Sequence, residues 1–172
     1  MTHRFRDIPQ VPKAGYRINV AFDYLETHVQ RMTEEYQLNL DADFQRAHVW
    51  TTQQQVAFVE FLLQGNEGQN IIYCNHPNWM GSTQGQMVVV DGKQRLTACL
   101  AFLRNQIPAF GTYRMEYEDH LPTMNGLVWA VAALKTQSEV LRWYLAINAG
   151  GTPHTSEELK RVRLMLQQEE EK

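Results

Sequence analysis

Asp91-Gly92-Lys93-Gln94-Arg95 places a carboxylate, a glycine, two cations and a carboxamide within five residues. The stretch follows an apolar run, Met87-Val88-Val89-Val90, and precedes Leu96, Cys99, Leu100 and Leu103, which recur at helical spacing. That pattern predicts a strand, a corner at Gly92 and a helix opening at Lys93. A helix N-terminus already carries about half a positive charge on its unpaired N–H groups, so two cations there cost roughly 0.3–1 kcal/mol each unless something negative offsets them. Asp91 supplies one negative group and a bound phosphate would supply more. The chemistry this suggests is anion binding: Gly92, Lys93 and Gln94 cradle phosphate and Arg95 neutralises it. Asp91 then holds magnesium or orients an attacking water. The same residues also suit a plain corner, with Asp91 as N-cap, Gly92 as a tight turn and Arg95 as the partner of Asp91.

Two other segments carry groups a ligand could use. Phe44-Gln45-Arg46-Ala47-His48-Val49-Trp50 offers a guanidinium fork at Arg46, suited to phosphate, and a flat indole at Trp50 on which a base could stack. Equally, Arg46 could pair with Asp43 or Asp91, and Trp50 could plug the core. Ile147-Asn148-Ala149-Gly150-Gly151-Thr152-Pro153 offers paired glycines that permit positive φ and close backbone approach. A glycine C-cap and turn is the alternative there. His48 has no second His or Cys at ligand spacing and receives no role. Asp119-His120-Leu121-Pro122 with Asn125 is reminiscent of the start of a His-Asn-His nuclease motif, but the remaining metal-binding histidine and its helix are not visible.

Asp91-Gly92-Lys93-Gln94-Arg95, followed by Leu96-Thr97, resembles the DGQQR motif of the nucleotide-handling domain at the N-terminus of GmrSD-type modification-dependent restriction enzymes. The segment ending at Trp50 resembles that family's "yQRxyvW" stretch, and the one beginning at Ile147 its "lNxGGtpL" stretch. The three occur in the family's order and span roughly Leu38 to Arg163. Lys93 stands where Gln is commoner, and His154 where an apolar residue is usual. The resemblance implies a ParB/sulfiredoxin-like fold with several added helices, and a site that binds ATP, GTP or CTP with Mg2+. It draws Arg46, Trp50, Asn148, Gly150, Gly151 and Thr152 to the nucleotide. Family members that cut DNA look to do so with a separate C-terminal nuclease domain, and this chain is expected to be a standalone form without one.

With 172 residues, 44% of them hydrophobic and four of them Trp, the chain is sized for one well-packed core. Its net charge of -3 argues against coating nucleic acid by bulk charge. Cys74 and Cys99 form neither a disulfide framework nor a zinc spacing, which fits a reducing compartment. With no signal peptide and no apolar span, a cytosolic location is expected.

Met1 to Gly15 reads as a mobile arm, residues 16 to 168 as one domain, and 169 to 172 as a solvated acidic tail. Tyr16, Ile18, Val20 and Phe22 alternate as a strand would. Asp23 and Glu26 open a helix with Leu25, Val29 and Met32 inward, and Leu38 and Leu40 suggest a strand. Thr51 or Thr52 with Gln54 or Gln55 caps a helix that stops at Gly65. Ile71-Ile72-Tyr73 is a short strand, Asn75 to Gly85 a long loop, and Asn105 to Glu118 irregular or strand-like. Thr136 with Glu139, and Thr155 with Glu158, open two last helices. The strand and helix alternation predicts a small mixed α/β domain.

Three functions follow as expectations. The first is binding, with slow hydrolysis, of a nucleoside triphosphate in DNA-related defence or counter-defence. The second is a non-catalytic protein that binds DNA or regulates a host or partner protein. The third is a small ParB-like DNA nuclease.

Overall fold

A run of seven residues to which the sequence pattern assigns no element, Gly126–Ala132, organises the sheet. The computed structural model describes residues 12–45, 50–121, 126–148 and 156–171. Their elements, in order, are β1 (Tyr16–Ala21), α1 (Leu25–Tyr36), α2 (Thr52–Leu63), β2 (Ile71–Asn75), β3 (Val88–Asp91), α3 (Lys93–Leu103), β4 (Gly126–Ala132), α4 (Gln137–Asn148) and α5 (Ser156–Glu170). The strands form one sheet in the order β1-β4-β2-β3. β4 lies between β1, antiparallel from Tyr16↔Val131 to Ala21↔Gly126, and β2, parallel from Ile71↔Val128 to Asn75↔Ala132. β3 pairs antiparallel with the far side of β2. This is a mixed α/β fold, as the alternation of elements predicts.

Both faces of the sheet are covered. Val20, Ile72, Cys74, Val89, Leu127, Trp129 and Val131 pack with α1, α2 and α3 in the larger core. Val90 and Ala132 pack with Val140, Leu141, Trp143 and Tyr144 of α4, Val162 of α5, and Ala42 and Phe44 of the chain before α2. Each fully buried aliphatic side chain contributes roughly 1.5–3 kcal/mol. A strand that faces apolar groups on both sides has no polar alternation to betray it.

Side-chain capping sets the starts of α2 and α4; α1, expected to open with Asp23 and Glu26, has Tyr24 as its N-cap with no side-chain cap, because Asp23 lies within a 3-10 turn, Phe22–Tyr24. Thr51 accepts from Gln54 N at 3.3 Å while Thr51 N donates to Gln54 Oε1 at 2.9 Å, so α2 begins at a reciprocal capping box. Thr136 and Glu139 do the same for α4, and the N–H groups of Thr136 and Lys135 on Glu139 hold its carboxyl below the usual range. Thr155, expected to cap α5, lies outside the described residues, as does the first stretch of the expected arm, 1–11.

The strand expected at Leu38 and Leu40 is instead a single parallel bridge, Asn39↔Val88. Asn39 N donates to Met87 O at 2.7 Å and accepts at its carbonyl from Val89 N at 3.1 Å. Gln45 then donates its side-chain amide to Val89 O. These bonds cover the outer edge of β3, which would otherwise expose unpaired backbone. Arg161 of α5 donates to the carbonyls of Asp43 at 2.9 Å and Gln45 at 3.1 Å, fixing the chain just before Arg46. α5 runs to Glu170, whose exposed carboxylate meets Arg142 of α4 at 2.5 Å. Among the described residues no helix is long and apolar enough to cross a membrane.

Candidate functional site

β3 ends at Asp91, and the chain turns into α3 through Gly92 at φ +100°. A Cβ at Gly92 would lie 2.7 Å from Ile72 Cδ1 and 3.1 Å from Ile71 O. Glycine is therefore demanded twice, by left-handed backbone and by contact with β2. Gly92 is itself the N-cap and offers no side chain, so Asp91 is not the cap that one sequence reading allowed. The first intrahelical bond is Leu96 N to Gly92 O at 2.9 Å, and the N–H groups of Lys93, Gln94 and Arg95 have no acceptor within the helix.

The two cations at this positive end each meet a carboxylate. Arg95 donates to Asp91 Oδ2, its partner four residues earlier, and to Gln69 O at 3.1 Å. The Asp91 to Arg95 pairing is thus present. Lys93 Nζ meets Asp41 Oδ1 at 2.5 Å, and the two side chains differ sharply in exposure, 13% for Lys93 and 82% for Asp41. Asp41 is the participant that sequence reasoning missed. Its only sequence signal is its place just before Arg46, since a pair 52 residues apart leaves no local pattern.

Gln94 is buried, and its Oε1 accepts from Trp50 N at 3.2 Å, tying the start of α2 to the start of α3. The Trp50 ring lies 5.4 Å from that of Phe58 and packs, half-buried, on the larger core. Asn148, the last residue of α4, turns its amide back onto Tyr144 O at 2.7 Å. The structure thus gathers Asp91, Gly92, Lys93, Gln94, Arg95 and the backbone of Trp50 at one corner. Arg46, Gly150, Gly151 and Thr152 lie outside the described residues.

Other chemistries find little support. Among the described residues no group of three His, Cys, Asp or Glu could hold a metal ion. Asp91, with one oxygen on Arg95, suits at most a magnesium ion that arrives chelated by phosphates, where one or two carboxylates suffice. Cys74 and Cys99 are fully buried, and burial pushes both thiols up, away from the reactive thiolate. Asp119 and His120 line an apolar cavity with Phe102 and Tyr117, while Asn125 is outside the described residues. A second cavity of about 320 Å³ lies at the opposite end of β3, between Val88, Asn75, Phe44 and the start of α4, and contains none of the expected site residues.

Residues 26–130, more than half of the chain, match the model of the family described as the GmrSD restriction endonuclease, N-terminal domain. No curated protein and no solved structure matches the chain.

Proposed function

We propose that this chain, which belongs to the family of GmrSD restriction endonuclease N-terminal domains, binds a nucleoside triphosphate at the start of α3 as part of a restriction-type DNA-defence system. One observation carries the reading: a lysine, Lys93, whose side chain is largely buried at the positive end of a helix and whose ammonium is paired with a carboxylate that is itself in solvent. Such a carboxylate can swing into water at little cost, because exposed pairs are worth about 1 kcal/mol or less. A phosphate that replaced it would meet Lys93 at the positive end of the helix.

In this reading Arg95, fixed by Asp91 and Gln69 O, adds positive charge beside the phosphates without having to be ordered on binding. Magnesium entering with the triphosphate would neutralise phosphate charge, and Asp91 would be the residue to hold it. Hydrolysis would be slow attack by water on the γ-phosphorus, breaking its bond to the bridging oxygen and releasing inorganic phosphate. If Asp91 does not hold the magnesium, it would instead orient that water. Arg46, Trp50, Asn148, Gly150, Gly151 and Thr152 complete the nucleotide contacts that the family resemblance implies.

A second reading has its own support. Gly92 is required by packing on β2 and Gln94 by its bond to Trp50, so the motif also serves the fold. A non-catalytic interaction protein would keep it for that reason. Lys93→Gln and Asp91→Asn separate the two. The triphosphate reading expects Lys93→Gln, although it installs the residue commoner in the family the motif resembles, to weaken binding by about tenfold or more, because in this chain an ammonium and not a carboxamide stands at the helix start and its loss removes one charge-assisted phosphate contact. It expects Asp91→Asn to keep binding within several-fold and lose phosphate release. Unchanged affinity and turnover in both variants, with melting temperatures intact, would leave only the interaction reading.

A further inference from the structure

The two edges of the sheet are finished differently. At β3 the outer backbone is taken by Asn39 and by the side chain of Gln45. At β1, the opposite edge, no such cover exists among the described residues. Val128 N donates to Asn70 O at 2.8 Å and Ala132 O accepts from His76 N at 3.0 Å, so Val128, Ala130 and Ala132 turn their backbone groups to the β2 side. Leu127, Trp129 and Val131 therefore face β1, where their register partners are Val20, Ile18 and Tyr16. By alternation the N–H and C=O of Arg17 and Asn19, and the N–H of Ala21, point away from the sheet. None of these takes a backbone partner among the described residues. A proline or a bulge usually blunts such an edge, but β1 has no proline and its register with β4 is unbroken from Tyr16 to Ala21.

The side chains of this edge are arranged for a partner of one polarity. Ile18 shares a face with Tyr16 and Val20, both packed on the larger core, yet is itself 40% exposed. Charge is divided along the strand: Lys13 and Arg17 stand exposed at its start and Asp23 exposed just past its end. None of the three is ion-paired among the described residues, whereas Glu26, the next acidic residue, is held by Arg104 at 2.7 Å. Two such strands laid parallel would set like charge beside like. Laid antiparallel, each brings Lys13 and Arg17 towards Asp23 of the other.

We propose that β1 pairs antiparallel with β1 of a second copy of this chain, about a two-fold axis through Asn19. Asn19 then exchanges both hydrogen bonds with Asn19 of the second copy, and at each end Ala21 N–H donates to the Arg17 carbonyl of the other copy. Ile18 meets Val20 of the second copy on the core face, and Arg17 lies opposite Ala21. A register centred on Arg17 would set guanidinium against guanidinium. One centred on Ala21 would carry Asn19 past the end of the strand, onto Asp23 in the 3-10 turn. The contact is isologous, and because the β3 edge of each copy is covered it stops at one joined sheet instead of propagating. From one β3 to the other is seven strand spacings, about 34 Å, so the nucleotide corners stand at the outer margins and the pairing does not depend on them.

Sedimentation of the full chain from low-micromolar to millimolar concentration is expected to show a reversible monomer–dimer equilibrium that weakens as salt rises. Asn19→Pro removes an outward N–H that β4 does not use, and is expected to abolish the dimer while the melting temperature at low concentration stays within a few degrees of wild type. Ile18→Lys leaves the backbone intact and is expected to weaken association about tenfold or more, which keeps the test decisive if the proline variant does not fold. For the register, Asn19→Cys should cross-link two copies under mild oxidation and Arg17→Cys should not, since the two copies of residue 17 lie about 14 Å apart. Cys74 and Cys99 are buried and do not compete. A monomer throughout the concentration range, a dimer that survives Ile18→Lys undiminished, or cross-linking in Arg17→Cys but not in Asn19→Cys would overturn the proposal.

Discussion

Replacing Asp41 with Asn tests the corner where the account is most specific, because the expected sign is the opposite of the ordinary one. Asp41 holds Lys93 at 2.5 Å, and a carboxylate so near a nucleotide site would commonly be read as a ligand whose loss weakens binding. If phosphate takes its place, Asp41 is a competitor. The pair is anchored at its Lys93 end and open to solvent at its Asp41 end, so its net worth is at the exposed-pair level, up to about 1 kcal/mol. That energy is subtracted from nucleotide affinity and returns when the carboxylate is removed. Asp41→Asn should therefore tighten triphosphate binding by roughly two- to fivefold. It should also lower stability by up to about 1 kcal/mol, a fall of about 2–4 °C in melting temperature for a chain of this size. Both effects should shrink as salt rises from 0.05 to about 0.5 M, since the Asp41 end is screened. Binding of a fluorescent nucleotide analogue, read alongside thermal melts, measures both. The gain should vanish in the Lys93→Gln background. Weaker or unchanged binding in Asp41→Asn at low salt would refute the displacement reasoning.

Gly92→Ala should cost about 2–4 kcal/mol, combining the left-handed penalty with the collision against Ile72, and should show as a lower denaturant midpoint at unchanged slope. A loss under about 1 kcal/mol would mean that the corner can open. His28 is buried edge-on to Trp129, and burial, with the Arg31 charge nearby, pushes its pKa from 6.5 down to about 4. The folded protein therefore resists its protonation while the unfolded chain accepts it. Stability is fully present above pH 6.5 and is lost as pH falls towards about 4. The full shift corresponds to about 3 kcal/mol, and allowing for solvent screening of the ring we expect about half of that. His28→Gln should flatten the dependence of unfolding free energy on pH across that window, and an unchanged slope would show that another group drives it.

Much of the fold was legible because its signals are local. The capping boxes at Thr51 and Thr136 set α2 and α4, and the spacing of Leu25, Val29 and Met32 gave α1 its inward face. The strand, glycine and helix around Gly92 follow from five residues read in order. What escaped is long-range. β4 is buried on both faces, so its apolar run carries no period that separates a strand from a helix. Leu38 and Leu40 alternate as a strand would, but pairing there is decided by Val88 and its neighbours, far along the chain, and the bridge to Val88 forms at Asn39. At the site, the alternatives raised for Asp91, Arg95 and Trp50 were readable, since each concerns near neighbours or composition. The partner of Lys93 was not, and neither was the structural use of Gln94, because both depend on how α3 meets chain segments more than forty residues away.

The central claim is that the start of α3 is a triphosphate site. Titration calorimetry of the purified chain with ATP, GTP and CTP, with and without magnesium, tests it most directly, with Lys93→Gln as the matched control. The account predicts micromolar binding of at least one of the three, stronger with magnesium and about tenfold or more weaker in the variant. No heat of binding from any of them up to millimolar concentration would contradict it, and Asp91 to Arg95 would then stand as a structural corner alone.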